Sequence, residues 1–184
     1  MATTEIKIGG FGGQGVILAG MIIGKAAALY DKKDATLTQA FGPEARGSAC
    51  SAQVIVDDGK IMYPYVTRPD IMVSLSQDAY NRFGPELKED GTLIIEQDLV
   101  KTPDLPKKVK VYGVPATRIA EELGRKMVLN VVVVGFFAAV TKLINVDAMR
   151  QAVKSSVPAG TEELNLKAFD RGYQYGLEHA AAGA

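Results

Sequence analysis

The sequence predicts an α/β fold, a layered structure in which helices flank a mostly parallel sheet. Three observations predict it. Short apolar runs of strand length alternate along the chain with longer stretches of helical character, which is the pattern of βαβ units. A glycine-rich turn at residues 9–15 joins the first apolar run to the first helical stretch. The chain has 184 residues, of which 47% are apolar and 23% charged, as is usual for a globular domain.

The first half of the chain is predicted to contain four strands and two helices. The first helix is apolar nearly all round and rich in small residues, as expected where a helix packs tightly on a sheet. An Asp-Asp-Gly turn signal ends the third strand, and Gly84-Pro85 stops the second helix. The predicted strands are residues 5–8, 35–40, 49–56 and 70–75, and the predicted helices are residues 16–30 and 77–83.

The second half is predicted to add two strands and four helices. Pro115 suits the start of a helix, and Pro158 ends an amphipathic one. The last helix places Phe169, Tyr173 and Leu177 on one face. The predicted strands are residues 91–96 and 109–112, and the helices are residues 116–123, 129–143, 146–155 and 166–178. We expect one domain over residues 1–184, on which a C-terminal helix at about 161–179 docks.

Charge and cysteine content argue against several classes of function. Twenty-one basic and twenty-one acidic residues cancel, whereas nucleic-acid binders usually carry a basic excess. Cys50 is the only cysteine and His179 the only histidine. Iron–sulfur clusters and structural zinc each generally need four such ligands, so we expect no metal site in this chain. A single cysteine allows no internal disulfide, which suits a cytoplasmic location.

No membrane role is expected. The longest apolar stretch, residues 127–140, is interrupted by Asn130 and Gly135. It falls short of the roughly 20 residues needed to cross a bilayer, and it reads as a core helix. Residues 1–7 include an acid and lead directly into a strand pattern, which is unlike a secretory signal.

The first candidate site is a G-x-G-x-x-G turn between a strand and a helix. Its glycines permit a tight turn, and its backbone N–H groups lie at the positive end of a helix dipole, which suits a phosphate or carboxylate. Many strand–helix turns need glycine for geometry alone, so anion binding and a purely structural turn both remain open. The candidate residues are Gly10, Gly12, Gly13, Gln14 and Gly15.

The turn lacks the other features of the common nucleotide sites. A dinucleotide site needs an acid at the carboxyl end of the second strand to bind the ribose hydroxyls. That strand ends at Thr38-Gln39-Ala40, whereas Asp31 and Asp34 precede it. No Lys-Ser/Thr pair follows the glycines, as it would in an ATP-cleaving P-loop. A conventional NAD or ATP site is therefore disfavoured.

A second loop carries opposite charges inside a stiff turn bounded by glycines. Because it follows the second strand, we expect it at the carboxyl edge of the sheet beside the first loop, where open α/β sheets bind ligands. Two interpretations remain open: a local ion pair, and an arginine that presents its donors to a carboxylate, a phosphate or a partner chain. No catalytic residue is assigned. The candidate residues are Gly42, Pro43, Glu44, Arg46 and Gly47.

The ordered set of motifs resembles a known family. The glycine turn preceded by IKIGG, the second loop, Tyr63-Pro64, Pro69-Asp70-Ile71, LSQDAY at residues 75–80 and NLKAF at residues 165–169 occur in its order. Together they resemble the gamma subunit of 2-oxoacid:ferredoxin oxidoreductases, over residues 6 to about 173. One departure is Gly47-Ser48 where many relatives have two glycines, which puts the local geometry of that loop in doubt. The sequences of the LSQDAY motif and of the second loop most resemble those of 2-oxoglutarate-type members.

The resemblance implies a Rossmann-like subunit of a larger enzyme. In this family a 2-oxoacid becomes an acyl-CoA and carbon dioxide, with electrons passed to ferredoxin. Thiamine diphosphate, coenzyme A and iron–sulfur clusters serve the whole complex, and no cofactor is assigned to this chain. The implied partners are alpha, beta and ferredoxin-like delta subunits. The glycine loops would face that assembly.

The chain has more apolar helical surface than one small sheet can cover. The apolar stretch at residues 131–140 and the Phe169, Tyr173 and Leu177 face exceed what a small sheet needs for cover, so we expect a partner-facing surface there and self-association of the isolated chain. The alternative function is a stand-alone Rossmann-like module that binds a nucleotide or another anion.

Overall fold

The computed structural model describes residues 3–41, 49–102 and 105–180. Within these ranges the strands are β1 (Thr4–Phe11), β2 (Asp34–Ala40), β3 (Ala49–Asp57), β4 (Ile71–Ser74), β5 (Thr92–Glu96) and β6 (Lys110–Val114). They form one sheet in the order β2-β3-β1-β4-β5-β6. Neighbours among β1, β4, β5 and β6 are parallel, and β3 runs antiparallel to both β1 and β2. The predicted α/β fold with a mostly parallel sheet is confirmed.

The β2–β3 pair interrupts the βαβ pattern. Its connection, residues 41–48, is shorter than the dozen or so residues that a parallel crossover needs, so β3 must run antiparallel to β2. β3 inserts between β2 and β1, where Cys50 pairs with Gly10 and Ala49 with Phe11. The carboxyl ends of all the other strands therefore share one edge of the sheet with the amino end of β3. We call it the carboxyl edge.

Helices cover the two faces of the sheet unequally. Helix α2 lies on one face, over a small cluster that includes Met72, Phe83 and Leu93. The other helices pack on the opposite face, around a large core that includes Ile8 and Val54. The helices are α1 (Val16–Lys25), which continues as a π-helical turn (Ala26–Tyr30), α2 (Gln77–Phe83), α3 (Ala116–Glu122), α4 (Leu129–Thr141), α5 (Val146–Ser156) and α6 (Glu162–His179).

Helix α4 lies in the centre of the large layer. Every residue from 130 to 139 is buried, because α1, α3, α5 and α6 all pack against the helix. Its apolar side chains therefore pack against other helices of the same chain. The expectation that residues 131–140 form a partner-facing surface is wrong.

Helices α4 and α6 cross at very close range. A methyl group added at Gly135 would overlap the carbonyl oxygen of Phe169, and one added at Gly172 would overlap the carbonyl oxygen of Val132. Gly176 repeats the contact one turn later, because a methyl group there would lie 2.5 Å from the Cβ of Ala139. The two backbones touch directly, and only glycine at these positions permits that distance.

Helix α6 spans residues 162–179, longer than the periodic pattern at residues 166–178 and close to the range of about 161–179 expected for the C-terminal helix. It starts at Glu162, where the Gly160 N–H donates to a carboxylate oxygen of Glu162 at 2.7 Å. Of the predicted face, Phe169 is fully buried, Tyr173 is half-buried and only Leu177 is largely exposed. The three side chains therefore do not form the exposed partner-facing surface that was expected there. None of the described helices is long and apolar enough to span a bilayer.

Candidate functional site

The first glycine loop joins the carboxyl end of β1 to the start of α1. Gly13 and Gly15 have φ angles of 93° and 72°, a left-handed conformation that costs glycine little and other residues more. The Gln14 N–H donates to the carbonyl oxygen of Phe11 at 3.1 Å and closes the turn. The backbone therefore requires glycine at two of the predicted positions.

Gln14 ties this loop to the next strand of the sheet. Its Oε1 accepts from the Phe11 N–H at 2.7 Å, and its Nε2 donates to the Leu75 carbonyl oxygen at 3.0 Å. Leu75 begins the LSQDAY motif, in which the Ser76 hydroxyl accepts from the Ala79 N–H at 3.2 Å and caps α2. Two motifs that lie about sixty residues apart in sequence thus form one hydrogen-bonded unit at the carboxyl edge.

The predicted turn at residues 9–15 is shorter in the structure, because Gly9 and Gly10 belong to β1 and pair with β3. The four candidate glycines divide into two pairs. A methyl group at Gly10 would lie 2.7 Å from the Oε1 of Gln14, and one at Gly15 would overlap the amide of Asn130. Asn130 also donates to the Gly15 carbonyl oxygen at 3.3 Å. Gly12 and Gly13 are exposed, and a methyl group at either would meet nothing within 4 Å. Gly10 and Gly15 therefore serve packing, whereas Gly12 and Gly13 leave the backbone accessible beside the N-terminus of α1.

The residues proposed for the second loop lie outside the described part of the chain. The strands that flank it are described: Ala40 of β2 pairs with Ser51, and Ala49 of β3 pairs with Phe11. The loop therefore leaves and rejoins the sheet at the carboxyl edge. The roles of Gly42, Pro43, Glu44, Arg46 and Gly47 stay predictions.

Sequence reasoning missed a buried carboxylate at the same edge. Glu96 ends β5, is 0% exposed, and accepts from the Asp98 N–H at 3.1 Å, the Thr117 N–H at 2.7 Å and the Thr117 hydroxyl at 3.0 Å. The residue that precedes α3 is Pro115, which offers no side-chain cap, so Glu96 supplies the acceptor for that helix from another strand. The signal available in the sequence was that Glu96 is an acid at the end of an apolar run. A helix start at Pro115-Ala116-Thr117 follows later in the chain.

Comparisons with known proteins identify the family. The family described as pyruvate ferredoxin/flavodoxin oxidoreductase matches residues 5–175. This chain belongs to that family. Subunit KorC of 2-oxoglutarate synthase from Methanocaldococcus jannaschii is 47% identical over 176 residues, which cover 95% of this chain and 94% of that protein.

Two further relatives define which part of the oxidoreductase the chain resembles. The crystal structure of the gamma subunit of a keto/oxoacid ferredoxin oxidoreductase from Geobacter sulfurreducens PCA superposes with a TM-score of 0.83 at 37% identity, over 95% of this chain and 99% of that one. The resemblance to gamma subunits is confirmed. Ketoisovalerate oxidoreductase subunit VorA from Methanothermobacter thermautotrophicus is 30% identical over 179 residues, which are 95% of this chain but 37% of VorA. There, the matching unit is part of a longer polypeptide.

The sheet of this gamma-type chain departs from a dinucleotide-binding sheet at the second strand. In the conventional arrangement the second strand lies directly beside the first, so that its terminal acid can reach the ribose. Here β3 separates β2 from β1, and β2 ends at the exposed Gln39-Ala40. Both the residue type and its position are unsuited to the ribose contact.

The lone cysteine and histidine of the oxidoreductase subunit lie apart. Cys50 is buried on β3, and burial raises the pKa of its thiol. His179 is exposed at the end of α6, where its ring stacks on Tyr175 at 3.8 Å between centroids. Within residues 3–41, 49–102 and 105–180, no group of three or more His, Cys, Asp or Glu side chains could hold a metal. Neither residue is in a position to assemble a catalytic pair.

Cys50 is expected to resist alkylation in the folded chain. Its pKa is raised from 9.0, so the folded thiol stays protonated at neutral pH, and the thiolate is the reactive form. Because the folded chain favours the protonated thiol, Cys50 contributes to the free energy of unfolding fully below the unfolded pKa, and this contribution is lost as the pH rises through the folded pKa. Iodoacetamide labelling at pH 7.5, followed by mass spectrometry with and without urea, measures this. Equal labelling rates in the two conditions would contradict it.

Proposed function

We propose that this chain is the gamma subunit of a 2-oxoacid:ferredoxin oxidoreductase that uses 2-oxoglutarate. The complex would cleave the bond between the carboxylate and the oxo carbon, release carbon dioxide, transfer the acyl group to coenzyme A and pass the electrons to ferredoxin. The observation that carries the proposal is the 47% identity to KorC along nearly the whole of both chains, against 30% to VorA. The subunit would act in the cytoplasm with alpha, beta and ferredoxin-like delta partners.

The residues of the chain suit a non-redox role within that complex. An iron–sulfur cluster generally needs four thiolates, and the sequence offers one buried cysteine. We therefore assign the clusters to a partner. Thiamine diphosphate would be held by partners as well, as the family resemblance implies.

The glycine loop is the part of the chain that we propose contacts the rest of the active assembly. Gly12 and Gly13 are exposed and carry no side chain to obstruct approach, and they precede the positive end of α1. This supports a contact with an anionic group, such as a phosphate of coenzyme A, or with a partner's backbone. Gly42, Pro43, Glu44, Arg46 and Gly47 would extend the same surface.

The test is an anaerobic purification from the native host through a tag on this chain. We expect the larger subunits to be recovered with it, together with dye reduction that needs coenzyme A and is fastest with 2-oxoglutarate. Pyruvate and 2-oxoisovalerate are the matched alternative substrates. A preference for either would reassign the substrate. Recovery of the chain alone, without activity, would favour the stand-alone anion-binding module.

Gln14→Ala tests the loop. It removes the hydrogen bond from the Phe11 N–H, which closes the loop on itself, and the one to the Leu75 carbonyl oxygen, which joins the loop to the end of β4, and we expect it to destabilise the isolated chain by about 1–2 kcal/mol. Because the loop would then lose its fixed position, activity of the purified complex should fall while the chain remains folded. Gln174→Ala, which removes an exposed hydrogen bond to Glu178 on α6, is the control. Full activity of the Gln14 variant would exclude a functional role for the loop.

A further inference from the structure

Both edge strands of the sheet carry charges at their start. Proteins usually guard edge strands with lysine, proline or covering elements. Strand β6 begins at Lys110 after Lys107 and Lys108, and β2 begins at Asp34 after Lys32 and Lys33. Beyond Asp34, residues 35–41 contain no charge and no proline. The body of β2 is therefore an uncharged strand edge that a partner can cover.

Exposed apolar side chains surround this unprotected edge. The described part of the chain has ten large apolar side chains that are strongly exposed, and seven of them belong to segments beside β2. On one face, α1 packs over β2 and β3. On the other, the Thr36 hydroxyl donates to the Pro64 carbonyl oxygen at 3.4 Å and holds the segment 62–65 against the strand. The seven are Met21, Leu29, Tyr30, Phe41, Met62, Tyr63 and Tyr65.

This surface has the composition of a protein interface. Methionine, tyrosine and phenylalanine are enriched in such interfaces, and charged residues are depleted at their centres. Tyr63 and Tyr65 pack edge to face with ring centroids 5.5 Å apart, which orders both rings before any partner arrives. Exposed apolar clusters of this kind mark interaction sites in soluble proteins.

We propose that the β2 edge and the apolar side chains around it bind the larger partner subunit of the oxidoreductase. The inference rests on the proposed function and names a partner surface for it. In VorA the matching unit makes up 37% of the chain, so the remaining length of that polypeptide is a non-identical neighbour tethered to the unit. In KorC from Methanocaldococcus jannaschii the match covers 94% of the protein, so there the unit has no such tether and needs a non-covalent surface for the equivalent neighbour. The partner surface would be uncharged and largely apolar to match residues 35–41.

The test compares two lysine substitutions in the full chain within the complex. Met62→Lys places a charge beside β2 on a side chain that is 83% exposed, and Leu177→Lys does the same on α6, where the side chain is 47% exposed. Helix α6 packs near β6 rather than β2, so the control lies on the opposite side of the molecule. We expect Met62→Lys to weaken retention of the larger subunits at least about tenfold, and Leu177→Lys to leave it unchanged.

Two further measurements make the outcomes distinct. Urea unfolding of each isolated variant should match the wild type, since both sites are exposed. Hydrogen exchange of the wild-type chain should show slower exchange in residues 35–40 when the chain is in the complex. Normal retention of the Met62 variant with unchanged exchange in β2 would overturn the proposal. So would a dimer of the isolated chain that Met62→Lys dissolves while the complex still forms. A complex that assembles but lacks 2-oxoacid activity would refute the proposed function and not the docking surface.

Discussion

Gly172→Ala is expected to destabilise the chain by about 3 kcal/mol or more, because a well-packed interface must open to admit the methyl group. The added carbon would overlap the carbonyl oxygen of Val132, so the backbones of α4 and α6 would have to separate. Separation would also loosen the contacts of Phe169, which is fully buried beneath the crossing. Urea unfolding followed by circular dichroism measures the change in the free energy of unfolding.

The control for this substitution is Gly24→Ala in α1. Gly24 is also buried in a helix, but a methyl group there would lie 3.8 Å from the nearest atom, the Cγ1 of Val54. Alanine favours helix over glycine by about 1 kcal/mol, so this variant is expected to be more stable than the wild type. Equal effects of the two substitutions would show that helix propensity, not the close crossing, determines the result.

Glu96→Ala is expected to destabilise the chain by about 2–4 kcal/mol, because hydrogen bonds to a charged group are strong and their buried donors would be left without partners. The Thr117 N–H and hydroxyl and the Asp98 N–H all lose their acceptor. The start of α3 should loosen first. Thermal unfolding measures the loss, and hydrogen exchange in residues 116–122 locates it.

Asp98→Ala is the matched control at the same strand end. Asp98 receives two hydrogen bonds from the exposed Arg118, at 2.6 and 3.1 Å, and exposed ion pairs contribute little to stability. Its removal should have a far smaller effect than Glu96→Ala. A comparable loss from both substitutions would mean that the cluster as a whole, rather than the buried acceptor, stabilises α3.

The strands and helices themselves were predictable because their periodicities are strong. The predicted helix at 77–83 matches α2 to the residue, and each strand of the sheet was foreseen, although β1 continues to Phe11 through residues that were expected in the glycine turn. The antiparallel insertion of β3 was not foreseen, although the short 41–48 connection requires it. Periodicity gives the type of an element, whereas strand order depends on which connections can physically cross the sheet.

The candidate site was predictable to a smaller extent. The glycine pattern indicated the loop, but the division between packed Gly10 and Gly15 and exposed Gly12 and Gly13 depends on Asn130 and Gln14, which come from other elements. The role of Glu96 likewise depends on Thr117 across a strand boundary. The end of an apolar run marked Glu96 itself, but a single sequence contains no signal for its long-range partners or for those of the glycines. The same limit explains why residues 131–140 were expected at the surface: their cover is α6, thirty residues later.

The glycine crossing has a consequence for the order of events during synthesis. Helix α4, the most apolar segment of the chain, acquires its largest cover only from α6, which the ribosome makes later. Until α6 emerges, the valine-rich face of α4 remains open to water and to other nascent chains. The core is thus completed only when the last helix packs on α4. A partner subunit that binds at β2 would bind a segment that is synthesised early, in a domain whose core is completed late.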